Sequence, residues 1–284
     1  MFPFEQQKQF TPDFSGSGKK PLSDVVVDFS NSLAPTRYCY LLAPEREPIN
    51  MAREYENRTV KQGSNALNVA VNECGQVLDF VNTHNQSNSA QAVLKLPIIG
   101  AISTGWILSE FYTDTITAGD GYVFSHGDST ANARLYFGVN GSRVFTRIGG
   151  GSSHTSTATI AVGQKITALV MWSGGNGAMY INGVKDSTFT YTGTPGSTFV
   201  NTTFIGQYRR DTFYIDPFDG QIAMLALGES LIGDIEGISL TKDPYQFLKP
   251  KVLDTYFAAG DDGGGGGFQA AWAKNANMLI NYYN

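Results

Sequence analysis

From residue 38 to about 246 the chain is built of short stretches in which apolar and polar side chains alternate, separated by Gly, Asn and Ser. A period of two puts every second side chain on one face, as a half-buried antiparallel strand requires. The alternation predicts strands at 38–42, 77–81, 92–96, 106–115, 121–125, 133–139, 142–148, 156–160, 165–172, 177–181, 204–207 and 220–227. Two junctions between alternating runs carry Asn-Gly, at Asn140-Gly141 and Asn182-Gly183. Both central residues of a favoured two-residue hairpin turn have positive φ, which Asn and Gly tolerate best. Many short strands divided by such turns predict an all-β chain, a two-sheet antiparallel jelly-roll sandwich. One short helix is expected over 231–240, where Leu231, Ile235 and Ile238 have helical spacing, although Gly233 and Gly237 weaken it.

The pattern divides the chain into three. Residues 1–37 are polar and broken by Pro and Gly, with strand character only over 25–29, and read as an extended arm. Residues 38–246 hold nearly all the strand signals, and 247–284 form a tail. Within the tail a flexible hinge of two Asp and five Gly, 261–267, precedes apolar residues led by Phe268 and Trp272. An apolar terminus beyond a glycine tether predicts docking, on its own domain or on a neighbour, so Phe268 and Trp272 are expected subunit contacts.

Charge and cysteine use remove several function classes. A formal charge of −5 with no Lys/Arg cluster argues against nucleic-acid binding, where phosphate neutralisation supplies much of the affinity. Cys39 and Cys74 make neither a disulfide framework nor a zinc site; they read as free buried thiols, with a single bridge between them as the alternative. The first residues lack the basic start and apolar core of a signal peptide. No apolar run approaches the roughly 20 residues of a membrane span. The expectation is a protein made in the cytoplasm, with no membrane partner, reaching any external role by another exit such as lysis.

The order of the motifs resembles the laminin G-like, concanavalin A-like jelly roll over roughly residues 65–246. Gly75 to Phe80 looks like the lead into an early strand, and Gly105 to Phe111 like the opening of the main sheet. The aromatic strand and polar loop over 122–128 follow. Residues 164–172 then run into Met179-Tyr-Ile-Asn-Gly-Val184, the most specific local match, and 204–207 and 218–222 close the series. The ending, with Asp243-Pro-Tyr-Gln-Phe-Leu-Lys-Pro250 and Gln269 to Asn277, looks like that of laminin G-like proteins encoded by tailed bacteriophages. A plain exit from a β domain into a linker is the alternative reading of the same residues.

Glycoside hydrolases on this fold carry Glu-x-Asp-x-(x)-Glu on one strand, so that alternation sets the carboxylates on one face as nucleophile and acid. Here Glu110 and Asp114 have the wrong spacing, and no Glu occurs from Phe111 to Gly228. His84, His126 and His154 are scattered without metal-ligand spacing and are expected to be solvated loop residues. No Gly-x-Ser-x-Gly elbow exists, and Gly149 to Ser153 lacks the Lys-Ser/Thr of a phosphate loop. The expectation is a protein that is not an enzyme and has no catalytic residues or organic cofactor.

Two clusters carry a binding expectation. Asp120, Asp128 and Asn132 surround the 122–128 strand and loop, and the laminin G-like resemblance implies calcium at such a loop; hard oxygen ligands suit that ion. Turn-forming Asp and Asn are the plain alternative. Tyr208, Arg209, Arg210, Asp211 and Tyr214 combine rings, guanidinium groups and a carboxylate, suited to a glycan or a protein contact, or to a simple hairpin loop. With the phage-like ending and the two arms, the reading is a non-enzymatic virion structural protein, a capsid decoration or tail-associated component. Its partners would be other virion proteins, in an oligomer or a lattice. The alternative is a carbohydrate-binding adhesin or lectin module that recognises host-surface glycans.

Overall fold

The structure is a computed structural model that describes residues 25–42, 51–52, 60–62, 67–72, 75–82, 92–97, 100–116, 119–127, 134–196, 203–210 and 213–250. Early strands are β1 (Val25–Val27), β2 (Tyr38–Leu41), β3 (Val60–Gln62), β4 (Leu67–Asn72), β5 (Gly75–Phe80) and β6 (Val93–Leu96). The central ones are β7 (Thr104–Thr113), β8 (Asp120–His126), β9 (Leu135–Asn140), β10 (Arg143–Ile148), β11 (His154–Thr155), β12 (Ile166–Ser173) and β13 (Asn176–Ile181). Then follow β14 (Val184–Thr190), β15 (Thr203–Ile205), β16 (Tyr208–Arg210), β17 (Phe213–Ile215), β18 (Gly220–Gly228), helix α1 (Asp234–Lys242) and β19 (Leu248–Pro250).

Two antiparallel sheets face each other, as the alternation predicts. One has the order β11-β10-β9-β8-β15-β6-β3; the other runs β14-β13-β12-β7-β18-β5-β4, with β2 also paired to β18. Strand β18 holds two partners on one side, β5 along Gly220–Ile222 and β2 along Met224–Leu227, and its pairing with β7 on the other side shifts register between Ile222 and Met224. Inward residues such as Phe111, Phe137, Val170 and Leu225 make the core between the sheets. Strand β7 is buried on both faces over nine of its ten residues, which explains why its pattern reads as nearly continuous. Its other face joins a second core with Trp106, Leu108, Leu169, Tyr180 and Ala226, covered by α1 and by Tyr245, Phe247 and Leu248.

Several expectations need correction. The Asn182-Gly183 turn forms as predicted, with φ of 50° and 82°, and a further turn at Gly174-Gly175 has φ of 56° and 83°. At the other Asn-Gly, however, Asn140 still pairs with Arg143, so the loop is Gly141-Ser142, with only Gly141 at positive φ. Glycine at the first central position defines the other favoured hairpin turn. Residues 156–160 are not a strand. Ser156 N–H and Ile160 N–H still donate to Val144 and Ser142 of the β10 hairpin, but Thr157 and Ala158 N–H turn to the Asp186 carboxylate at 2.8 and 2.7 Å. A side chain thus supplies the acceptors that a ladder would have supplied.

The helix starts later and faces differently from its predicted stripe. Gly233 is its N-cap, and the Glu236 carboxylate accepts from the Gly233 N–H at 3.1 Å. Gly237, Leu240 and Thr241 are buried, whereas Leu231 and Ile235 are exposed. Gly237 lies on the Tyr180 ring, where an added Cβ would come within 2.9 Å. Lack of a side chain, rather than an apolar stripe, lets this helix approach the sheet. Thr241 Oγ1 donates to Gly237 O and accepts from Gly183 N–H at 3.1 Å, tying the helix to the β13–β14 turn.

Within the expected N-terminal arm, β1 pairs with β19 in the register Val25↔Pro250, Val26↔Lys249 and Val27↔Leu248. The compact unit ends at Pro250. Phe268 and Trp272 lie outside the described residues. Cys39 is buried, and burial pushes its thiol well above the ordinary value; Cys74 lies outside the described residues. Among the described residues no helix is long and apolar enough to cross a membrane.

Candidate functional site

The second core leaves one end of the outer face of β12, β13 and β14 uncovered, and a groove of about 710 Å³ lies there. Register decides what lines it. Ala178 belongs to the outer face, its partner on β14 is Thr188, and Asn176 pairs with Thr190 in the same alternation. Asn176, Thr188 and Thr190 are exposed, Met171 and Ala178 lie between them, and Leu231 forms a wall. Lys185 and Ser173 complete this polar rim. At the edge, His154 stacks on Phe189 with ring centroids 4.5 Å apart and planes 19° from parallel. Gly177 is required beneath that pair, since a Cβ there would meet the Phe189 ring at 2.3 Å. The groove therefore offers amide and hydroxyl groups around a small apolar floor, a lining suited to a polyhydroxylated ligand.

Among the described residues, none of the expected site residues lines this groove. Strand β14 was missed because Val184 to Thr190 sits at a sheet edge, mostly exposed, where packing imposes little alternation. The available signal was the Asn182-Gly183 turn itself, which demands a return strand.

One residue from each expected cluster, Asp120 and Tyr208, meets Tyr122 on the outer face of the other sheet. Tyr208 is buried and packs its ring 5.2 Å from Tyr122 and 4.6 Å from Tyr136; Phe145 lies 5.2 Å from Tyr122. Tyr208 is therefore an anchor of the β16–β17 hairpin rather than an exposed contact. Arg209, Arg210 and Tyr214 are placed in that hairpin by their backbones, and Asp211 lies outside the described residues. Asp120 accepts from the Tyr122 hydroxyl at 3.1 Å through one oxygen and from Asn140 Nδ2 at 2.5 Å through the other. Burial first, then the Asp120 charge, push the Tyr122 phenol above its ordinary range. Asp128 and Asn132 lie outside the described residues. Among the described residues no group of three His, Cys, Asp or Glu is placed to hold a metal ion.

The histidines differ from the expected solvated loop residues. His126 is fully buried, its Nδ1 2.7 Å from Thr203 Oγ1, and burial lowers its pKa to about 4. His154 is half-buried in the stack on Phe189, and burial lowers its pKa too. His84 lies outside the described residues.

Nor are the sequence's candidate catalytic carboxylates arranged as a pair. Glu110 is fully buried beneath Tyr245, whose hydroxyl donates to Oε1 at 2.7 Å, while Thr167 Oγ1 donates to Oε2 at 3.2 Å. Its cross-strand neighbours are Thr167 and Met224. Asp114 stands instead at the end of β7 with Asp79 and Asp219, its N–H donating to Asp219 O at 3.1 Å. Burial and then neighbouring carboxylates raise the pKa values of Asp79 and Asp114. A carboxyl held above its unfolded pKa binds more protons in the folded state, so stability falls as pH rises through that interval. Asp114→Asn should therefore stabilise the protein at pH 7, by less than about 1 kcal/mol because Asp114 is exposed. Thermal melts from pH 4 to 7 should show a shallower decline than wild type; an unchanged slope would refute the coupling.

With this geometry in place, comparison with known proteins gives one family and a fold. Residues 107–230 match the model of the concanavalin A-like lectin/glucanases superfamily, and the two antiparallel sheets make a concanavalin A-like jelly-roll sandwich. The comparison with curated proteins found no match. Among solved structures, the binding domain of Paraclostridial Mosquitocidal Protein 1 overlays with a TM-score of 0.54 and 10% identity, over 73% of this chain and 52% of that one. Domain 4 of a GH43 extracellular arabinanase from Geobacillus stearothermophilus, in complex with arabinotriose, gives 0.49 and 16%, over 66% and 88%. The CBM40 of the Ruminococcus gnavus IT-sialidase, bound to α2,3-sialyllactose, gives 0.45 and 16%, over 50% and 83%.

Proposed function

We propose that this chain carries a non-catalytic carbohydrate-binding domain and that the groove over β12–β14 receives the glycan. The observation that carries the reading is the groove's lining: Asn176, Thr188 and Thr190 present an amide and two hydroxyls beside Met171, Ala178 and the Phe189–His154 stack. A sugar ring has the complementary character, with hydroxyls at its rim and C–H groups on its faces, so both kinds of surface are answered at once. The family description includes lectins as well as glucanases, and fold alone does not choose between them. Glu110, sealed under Tyr245, favours the binding half of that description.

The virion reading has its motive in the two arms and the phage-like ending. Residues 1–24 and 251–284 lie outside the described residues, and Val25–Val27 is engaged with β19. No described feature adds to that motive.

Calorimetric titration with a panel of oligosaccharides tests the proposal. At least one glycan should bind, and Thr188→Val or Thr190→Val should each weaken it about fivefold, the worth of one neutral hydrogen bond. Both side chains are exposed, so melting temperatures should stay put. A panel without a binder, or a bound glycan indifferent to both substitutions, would remove the groove from consideration.

A further inference from the structure

We infer that the groove selects uncharged, hydroxyl-rich oligosaccharides and turns away sialylated or uronate-bearing chains; this rests on the carbohydrate reading of the same groove. Lys185 is the ammonium among its lining residues. Its Nζ lies 2.7 Å from Asp234 Oδ2. Asp234 is fixed from a second side, because the Tyr180 hydroxyl donates to its Oδ1 at 2.6 Å. The Tyr180 ring is buried against Gly237 of the helix. The carboxylate therefore stays in place, and the lysine charge is already answered within the protein.

An anionic sugar would have to draw Lys185 off Asp234, leaving two carboxylates facing each other across a short gap. The surroundings oppose it further. The segment 229–236, which supplies the Leu231 wall, carries Glu229, Asp234 and Glu236. Arg37 is paired with Glu229 at 2.5 Å, and the whole chain has a formal charge of −5. Among the described residues, the other polar lining groups Ser173, Asn176, Thr188 and Thr190 carry no charge, and burial lowers the pKa of His154, which disfavours its cationic form.

The test is titration of the full chain at low salt with neutral arabino-, xylo- and galacto-oligosaccharides and with sialyllactose and oligogalacturonate. Wild type should bind a neutral chain, with acidic chains at least about tenfold weaker, the effect of one uncompensated close charge. Asp234→Asn releases Lys185 and should raise the acidic-to-neutral affinity ratio about tenfold, a gain that 0.5 M salt removes. Adding Lys185→Gln to Asp234→Asn should abolish the gain. Acidic chains binding wild type as tightly as neutral ones, or an unchanged ratio in a folded Asp234→Asn protein, overturn the charge inference while leaving carbohydrate binding standing. If Asp234→Asn fails to fold, the wild-type comparison decides. Binding of neither class removes the carbohydrate reading and this inference with it.

Discussion

Replacing Phe111 with alanine should destabilise the domain by about 4 kcal/mol, the cost of deleting a fully enclosed aromatic ring and leaving a cavity. Phe111 has no exposed surface and points between the sheets. It meets Phe137 and Phe218 edge-on, with centroids 6.1 and 5.8 Å away and planes 87° apart in both cases. Phe137 comes from the opposite sheet, so the ring bridges the two layers, and its neighbours on β7's own sheet are Ile166 and Ile222. These are held by backbone ladders and cannot collapse freely into the gap. Phe111→Leu keeps most of the volume and should cost less than half as much, about 1.5 kcal/mol. Urea unfolding monitored by circular dichroism measures both, through the shift in midpoint at constant slope. A loss below about 1 kcal/mol for Phe111→Ala would contradict the assigned inner face.

The adjacent residue points the other way and gives the second large effect. Glu110→Ala should cost about 3 kcal/mol, because the Tyr245 and Thr167 hydroxyls would lose their acceptor in a place water does not reach. A carboxylate on an open catalytic face would behave otherwise, since exposed substitutions move stability by only about 0.5 kcal/mol. The same unfolding experiment therefore tests whether Glu110 is structural. Tyr245→Phe alone should cost about 1 kcal/mol, and the double variant less than the sum, because removing both partners leaves fewer orphaned groups. Strict additivity would mean the two side chains do not meet.

Glu110 and Phe111 also mark how far the pattern could be read. Alternation placed both on one strand and on opposite faces, but it could not say that the polar face would be buried. That required Tyr245, 135 residues away, to arrive over the sheet. The helix shows the same limit: of Leu231, Ile235 and Ile238 only Ile238 packs on the second core, and the buried positions are Gly237, Leu240 and Thr241. Contact with Tyr180 demanded a residue without a side chain, which hydropathy does not register.

For the site, the sequence pointed to Asp120 and to Tyr208 as separate clusters. Only the sheet, by setting β8, β9 and the β16–β17 hairpin side by side, made Tyr122, Tyr136 and Tyr208 one packed group. The groove was invisible in the chain, because its residues from β12 and β13 are joined by others from the exposed edge strand β14, from β11 and from the loop after β18, which only the fold brings together.

By itself the sequence determined most of the strands, the Asn182-Gly183 turn and the two-sheet class, since a period of two and the demand for positive φ are local constraints. Tertiary structure decided which polar residues are sealed, which glycines carry contacts and where a ligand can sit. Burial and enclosure depend on which distant segments come to cover a face, and no local pattern encodes that.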